Sequence, residues 1–313
     1  MKIKGILVST VVPMANHIAN GGEKLLGNAS SIKRRPDGKV YISGQMQRHV
    51  IFRSMEHLNY EDPARGSTFV SNGDGVTNEV ERDLRADLGG FLHVSKGSYS
   101  GRRIAPLTAT PAVSLGESEV GRDLLLRLKI KQEAGAPQAI ATKEYSQADD
   151  MLMNFHLDVT ALSVSRKFEY SGENDGMHVR TEFVKHCSDE ERLRRAKLFV
   201  ESTRFMLHYA NQARNAVQGE PQKVLIVFDP RLSRKAIRFF EAGAEEQKFI
   251  LNELRDREAR YFIGDDTLKT EGSTSVLEAY KTALAFLTEC GTSLLYDPTD
   301  GGKPVAFADA FNE

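Results

Sequence analysis

The 313-residue chain has two cysteines and no tryptophan. Cys187 and Cys290 are far apart and offer no metal-ligand spacing, and two such thiols make no disulfide framework. Both read as ordinary thiols. No stretch approaches the ~18 apolar residues of a membrane-spanning helix. The opening MKIKGILVSTVV places lysines before a short apolar run, as a signal peptide would. It alternates, however, and no small-residue cleavage site follows, so it predicts a first β-strand and a cytoplasmic protein. Net charge is also nearly absent, at −1, so bulk electrostatics alone does not point to a polyanion.

Signatures of catalysis are missing as well. Gly-Gly-Glu-Lys at 21–24 lacks the spacing and the Lys-Ser/Thr pair of a nucleotide-binding loop. There is no His-Glu-x-x-His, and the histidines are scattered singly, a pattern more typical of structural residues than of metal ligands. Asp265-Asp266 reads as a turn. No metal or cofactor is expected.

What the chain does have is an uneven distribution of charge. Residues 1–53 hold nine basic side chains against two acidic ones, a balance of +7, whereas residues 241–313 hold fifteen acids against seven bases. Three readings stay open: a local polyanion site, a head-to-tail polymer whose opposite ends attract, or two solvated surfaces.

Hydrophobic periodicity gives the elements. A strand is predicted at 3–12, then a Gly- and Asn-rich basic loop at 16–39 and a short extended piece at 40–42. Ser43 reads as the N-cap of a helix through Leu58. Residues 59–101 look like an irregular insertion with little core of its own. A strand follows at 105–115, then a protruding arm at 116–150. Residues 151–160 alternate, with Met151, Met153, Phe155, Leu157 and Val159 on one side and Leu152, Asn154, His156 and Asp158 on the other. A helix is predicted over 188–217, capped by Ser188, then a buried strand in KVLIVFDP, then helices at about 233–258 and 274–290. The core order of strand, helix, strand, strand, helix, strand is that of an α+β ferredoxin-like fold, which does not by itself name a function.

The sequence ISGQMQR at 42–48 is a strand-to-helix junction whose free amides and dipole suit an anion. Gly44 would let a phosphate approach, and Arg48 lies one turn on; the plainer reading is an N-cap with a surface arginine. Lys33-Arg34-Arg35 in the preceding loop could track a nucleic-acid backbone, or form a solvated cluster. Arg102 and Arg103 precede the 105–115 strand. Arg82 and Arg85 are accounted for by salt bridges to Glu81, Asp83 and Asp87.

The string VYISGQMQRHVIFRSM resembles the first helix of the CRISPR-associated Cascade backbone proteins, the seventh Cas protein family, with closest similarity to the DevR-type autoregulator branch of type I-B systems. RDLRADLGGFL with GRRIAPLTATPAVSL, then FHLDVTAL, then GEPQKVLIVFDP, are similar to later stretches of that family in the same order, up to about residue 240.

The resemblance implies a right-hand shape. A modified RNA-recognition-motif palm is built from 1–58, 102–115 and 151–240, with a fingers-like insertion at 59–101, a thumb-like arm at 116–150 and a helical C-terminal extension at 241–313. It further implies a subunit without catalytic activity that polymerises head to tail along a CRISPR guide RNA, alongside other Cascade subunits, and presents the guide to target DNA. Carried over by motif position, RNA contact falls to Ser43, Gly44, Gln45 and Arg48, then to Lys33 and Arg34, then to Arg102, Arg103 and Lys143 in the arm. Related type III subunits cleave RNA with an aspartate in the loop before the strand that leads to this helix. Here no acid lies between Glu23 and Asp37, so no nuclease activity is expected. The competing readings are such a type III-like ribonuclease, a ferredoxin-like small-molecule enzyme, and a DNA-binding autoregulator, for which no helix-turn-helix is evident.

Overall fold

The computed structural model describes residues 1–26, 29–75, 77–93, 101–127, 139–171, 176–268 and 273–311. Strand β1 (Gly5–His17) outruns the expected strand, and both of its faces are covered. The basic loop contains two short strands, β2 (Glu23–Lys24) and β3 (Ser30–Ser31). β4 (Tyr41–Ile42) leads into α1 (Gly44–Glu61), which buries Val50, Ile51 and Met55. The 59–101 insertion is better anchored than its composition suggests. Its helix α2 (Leu84–Gly89) places Leu84 and Leu88, one turn apart, in the main core. β5 (Phe91–His93) and β6 (Gly101–Arg103) pair beside it.

The strand expected at 105–115 is two, β7 (Leu107–Ala109) and β8 (Ala112–Ser114), broken at Thr110-Pro111. Pro111 has no N–H to give a ladder, which accounts for the break. The arm is an antiparallel pair of β9 (Val120–Arg127) and β10 (Ala139–Asp158), in register from Ala139 opposite Arg127 to Ser146 opposite Val120. Part of the arm, 128–138, lies outside the described residues. A second antiparallel pair, β11 (Val164–Tyr170) with β12 (His178–Lys185), was not anticipated.

Helix α3 (Asp189–Ser202) is capped by Ser188 as expected but stops well short of 217. The hydroxyls of Ser202 and Thr203 turn back onto the carbonyls of Phe199 and Val200, which competes with the helical ladder. The chain then folds over the core through buried Met206 and Tyr209. β13 (Lys223–Asp229) is the buried strand that KVLIVFDP predicts. The single helix expected at 233–258 is a 3₁₀ turn at Lys235–Arg238 followed by α4 (Ala244–Asp256), with Gly243 at its N-cap. β14 (Arg260–Asp265), α5 (Val276–Cys290) and α6 (Phe307–Phe311) complete the chain. The stretch after 240 is therefore not purely helical: β14 pairs with β13 and extends the central sheet.

That sheet runs β14-β13-β1-β10, with β7 and β8 on the outer side of β10 and each of these neighbours antiparallel. One face packs on α1, α3 and α5 around Ile6, Val8, Met153, Phe155 and Ile226, as the alternation of 151–159 requires. The other face packs Leu7, Leu225 and Val227 against Phe239, Ile250 and Leu254. Among the described residues, no helix is long and apolar enough to cross a membrane.

Two buried histidines make the fold sensitive to acid. His156, on the second face of β10, makes no hydrogen bond through either ring nitrogen among the described residues; burial, then Arg234, pushes it down to about 4. His186 bonds Val305 O and Ser165 Oγ at 2.8 Å each; burial, then Arg103, pushes it down to about 4 as well. Both rings are neutral when folded and take protons more readily when unfolded. Their contribution is intact above about pH 6.5 and drains away as pH falls toward 4, by roughly 2 kcal/mol per ring at pH 5. Urea unfolding between pH 7 and 4 should show this slope, and His156→Leu should flatten part of it. A flat profile above pH 4.5 would exclude the assignment.

Candidate nucleic-acid interface

At the β4–α1 junction, Ser43 Oγ accepts from the Met46 amide at 3.2 Å, so its side chain serves the cap. Gly44 is required for a reason other than phosphate access. A Cβ there would lie 2.7 Å from the carbonyl oxygen of Ala109, so the space is filled by the β7–β8 connection. Gln45 is exposed. Arg48 is not a free surface cation. Its Nη2 donates to Gly89 O at 2.6 Å, and burial lowers its pKa.

Asn20 fixes the basic loop against this junction. Its Nδ2 donates to the carbonyls of Lys33 (3.0 Å) and Tyr41 (3.1 Å), while Arg34 bridges Val40. Lys33 is half-buried and Arg34 exposed, and among the described residues Arg34 has no ion pair; Arg35 pairs with Asp37 at 3.3 Å. Lys143 stands on β10 opposite Ser30 of β3 and Asp123 of β9. Burial, then Arg214, lowers its pKa. The sequence-predicted residues thus form two neighbouring groups, Lys143 with the 30–34 segment at one sheet edge, and Gln45 with Arg48 at the start of α1.

Arg103 is a correction. Both of its terminal nitrogens are held inside the protein, with Nη2 on Asp87 and Nη1 donating to Val164 O at 2.6 Å and Ser165 Oγ at 3.2 Å, while its buried Nε has no hydrogen-bond partner among the described residues. Its guanidinium cannot meet RNA without vacating that network. Arg102 lies in β6, and its side chain falls outside the described residues.

Arg85 is what sequence reasoning missed. Among the described residues, none of the carboxylates expected to pair with it forms a salt bridge to its guanidinium, although Asp83 still attracts its charge. Asp87 faces Arg103 and Arg195; Asp83 caps α2 through the Arg85 amide at 2.9 Å; Glu81 accepts from the Phe307 amide at 3.2 Å. The Arg85 guanidinium instead lies 4.7 Å over the Phe52 ring, with Nε donating to Ser71 O at 2.6 Å. Together with Gln45, Arg48, His49 and Asn72 it lines a pocket of 330 Å³. Burial, then Arg85 and Arg53, lowers the His49 pKa, as expected where cations crowd one site. Nothing in the local sequence shows that two helices would bring Arg48 and Arg85 together.

Solved structures share this fold, among them the following two. A chain of a "CRISPR RNA-guided surveillance complex" is 13% identical with a TM-score of 0.57, over 90% of this chain and 99% of that chain. A chain of a "CRISPR RNA-guided surveillance complex, pre-nicking" is 12% identical with a TM-score of 0.56, over 90% and 99%. No protein-family model matches the chain, and no curated protein matches it. The likeness is therefore one of architecture, spanning nearly the whole of both neighbours, with little sequence shared.

Proposed function

We propose that this chain is a guide-RNA-binding subunit of a CRISPR surveillance complex, repeated head to tail as its backbone and without catalytic activity of its own. The observation that carries this reading is the extent of the fold match: 90% of this chain and 99% of a chain from an RNA-guided surveillance complex are covered. The strand order β13-β1-β10-β7/β8, antiparallel throughout, supports a ferredoxin-like palm, and the β9–β10 pair suits a thumb. In this reading the fixed cations Lys33, Arg34, Arg48 and Lys143 hold RNA by its backbone, while the guide's exposed bases recognise target DNA. The opposite charges of residues 1–53 and 241–313 suit contact between successive copies in the cytoplasm. Similarity to the seventh Cas protein family, and to its type I-B DevR-type branch, belongs to the same proposal. The stretch between Glu23 and Asp37 offers no carboxylate to activate a water, which supports a subunit that does not cleave.

The test is to express the chain with its neighbouring genes and a guide array, separate the product by size, and run extracted nucleic acid on a denaturing gel. A ribonuclease-sensitive band of uniform length in a high-mass peak is expected. Because the chain has no tryptophan, excess absorbance at 260 nm will be plain. Low-mass protein free of RNA would defeat the reading, and metal-dependent cleavage of added target RNA would defeat its non-catalytic part.

A further inference from the structure

Arg85 has an unmet need. The residue is 9% exposed, and its Nη2 is buried without a hydrogen-bond acceptor among the described residues. Arg48 Nε, on the same pocket, is likewise buried without one. An N–H on a charged group taken out of water without an acceptor is destabilising, so both guanidiniums are left under-satisfied by the protein beside a pocket they line. Among the described residues the pocket is lined by one carboxylate, Asp74, which is exposed and accepts from the Asn72 amide at 3.3 Å.

The enclosing loop is shaped around the guanidinium. Gly73 has φ +98°, and a Cβ there would sit 2.7 Å from Arg85 Nη1. Any other residue would be strained and would press on the cation. The amides of Gln45 and Asn72 add neutral donors at the mouth, and Gln45 lies in the first turn of α1, where the helix field favours negative charge. Burial lowers the Arg85 pKa; Asp83 and then Glu56 pull against it, and Arg48 and Arg53 add smaller repulsions.

We infer that the pocket between α1, the 72–74 loop and the end of α2 is a phosphate site, with Arg85 and Arg48 as its two ligating cations. Two guanidinium forks with amide donors suit an anion with several acceptor oxygens. The source of the phosphate, an RNA phosphodiester or a free phosphate, rests on the RNA-binding reading; the chemistry of the pocket does not.

The experiment measures inorganic phosphate binding by calorimetry at low salt, and separately the salt dependence of RNA binding. Wild type is compared with Arg85→Gln, Arg48→Gln and, as a distant control, Arg238→Gln. Phosphate affinity should fall about tenfold or more in either pocket variant and stay unchanged in the control. If the phosphate comes from RNA, the slope of log affinity against log salt should shrink by about 0.7 in Arg85→Gln. Loss of phosphate binding with unchanged RNA binding assigns the pocket to free phosphate. Phosphate binding by a protein that binds no RNA would sink the proposed function and leave the pocket standing. No phosphate binding by wild type, or equal binding by both variants, overturns the inference. Circular dichroism checks each fold, and if Arg85→Gln does not fold, Arg48→Gln decides.

Discussion

Asp87→Ala is expected to destabilise the folded chain by about 3–5 kcal/mol, a large part of a typical domain's stability. Asp87 is wholly buried in α2. One carboxylate oxygen meets Arg103 Nη2 and the Ser163 amide; the other accepts from Arg195 Nη1 at 2.6 Å and Ser163 Oγ at 2.8 Å. The two guanidiniums also hold backbone carbonyls, those of Val80 and Glu81 from Arg195 and those of Ala161 and Val164 from Arg103. One carboxylate thus joins α2, β6, the start of β11 and α3. Burial alone would push its pKa up, but Arg195 and Arg103 outweigh it and hold the carboxyl below the usual range. This contribution is present above the unfolded carboxyl pKa of about 4 and is lost as pH falls through the folded value.

Removing the carboxylate leaves Arg103 buried without a counter-charge, which is the costly step. Asp87→Asn keeps the shape and should still destabilise clearly, which separates charge from cavity. Urea unfolding monitored by circular dichroism reads both variants. A change below about 1 kcal/mol for Asp87→Ala would mean the network relaxes onto water and does not hold the insertion.

The second large effect concerns the RNA. Replacing Lys33, Arg34 and Arg48 together with alanine should weaken RNA binding on the order of 100-fold. The loss should be equal for unrelated sequences, because backbone contacts carry no sequence information. The salt slope should shrink by about 2, at ~0.7 per lost phosphate contact on a single strand. Of the three side chains, Arg34 is the freest and Arg48 the most committed to the protein, through Gly89. The single variants should therefore differ, with Arg34→Ala leaving stability untouched. Fluorescence anisotropy with two labelled RNAs across a salt series settles it. Unchanged affinity in the triple variant would move the interface away from the basic loop and the α1 start.

The core strands and the two capped helices were legible because their signals are short-range. Ser43 and Ser188 cap within three residues, the alternation of 151–159 shows which side meets the core, and the apolar run of 223–228 marks a strand covered on both faces. Misreadings came where long-range partners override local preference. The helix read to 217 ends at Ser202, where the Ser202 and Thr203 hydroxyls take up helix carbonyls and the chain turns to bury Met206 and Tyr209. β14 was missed because an edge strand half-covered by α5 has no strong alternation.

The arginines mark the boundary between what the sequence by itself determines and what tertiary structure decides. Sequence alone sets the position of each guanidinium along the chain, the basic and acidic ends, the start of α1 at Ser43, and the lack of a carboxylate between Glu23 and Asp37. It does not set which arginine is spent on the fold. Arg103 looked available and is buried on Asp87, whereas Arg85 looked neutralised and faces a pocket with a donor unpaired. The reason is physical. Capping and periodicity act over one turn of chain, but a charge is neutralised by whatever lies within a few ångströms in space, and α2 turns Asp87 away from Arg85 and toward residues 16 and 108 positions further along the chain.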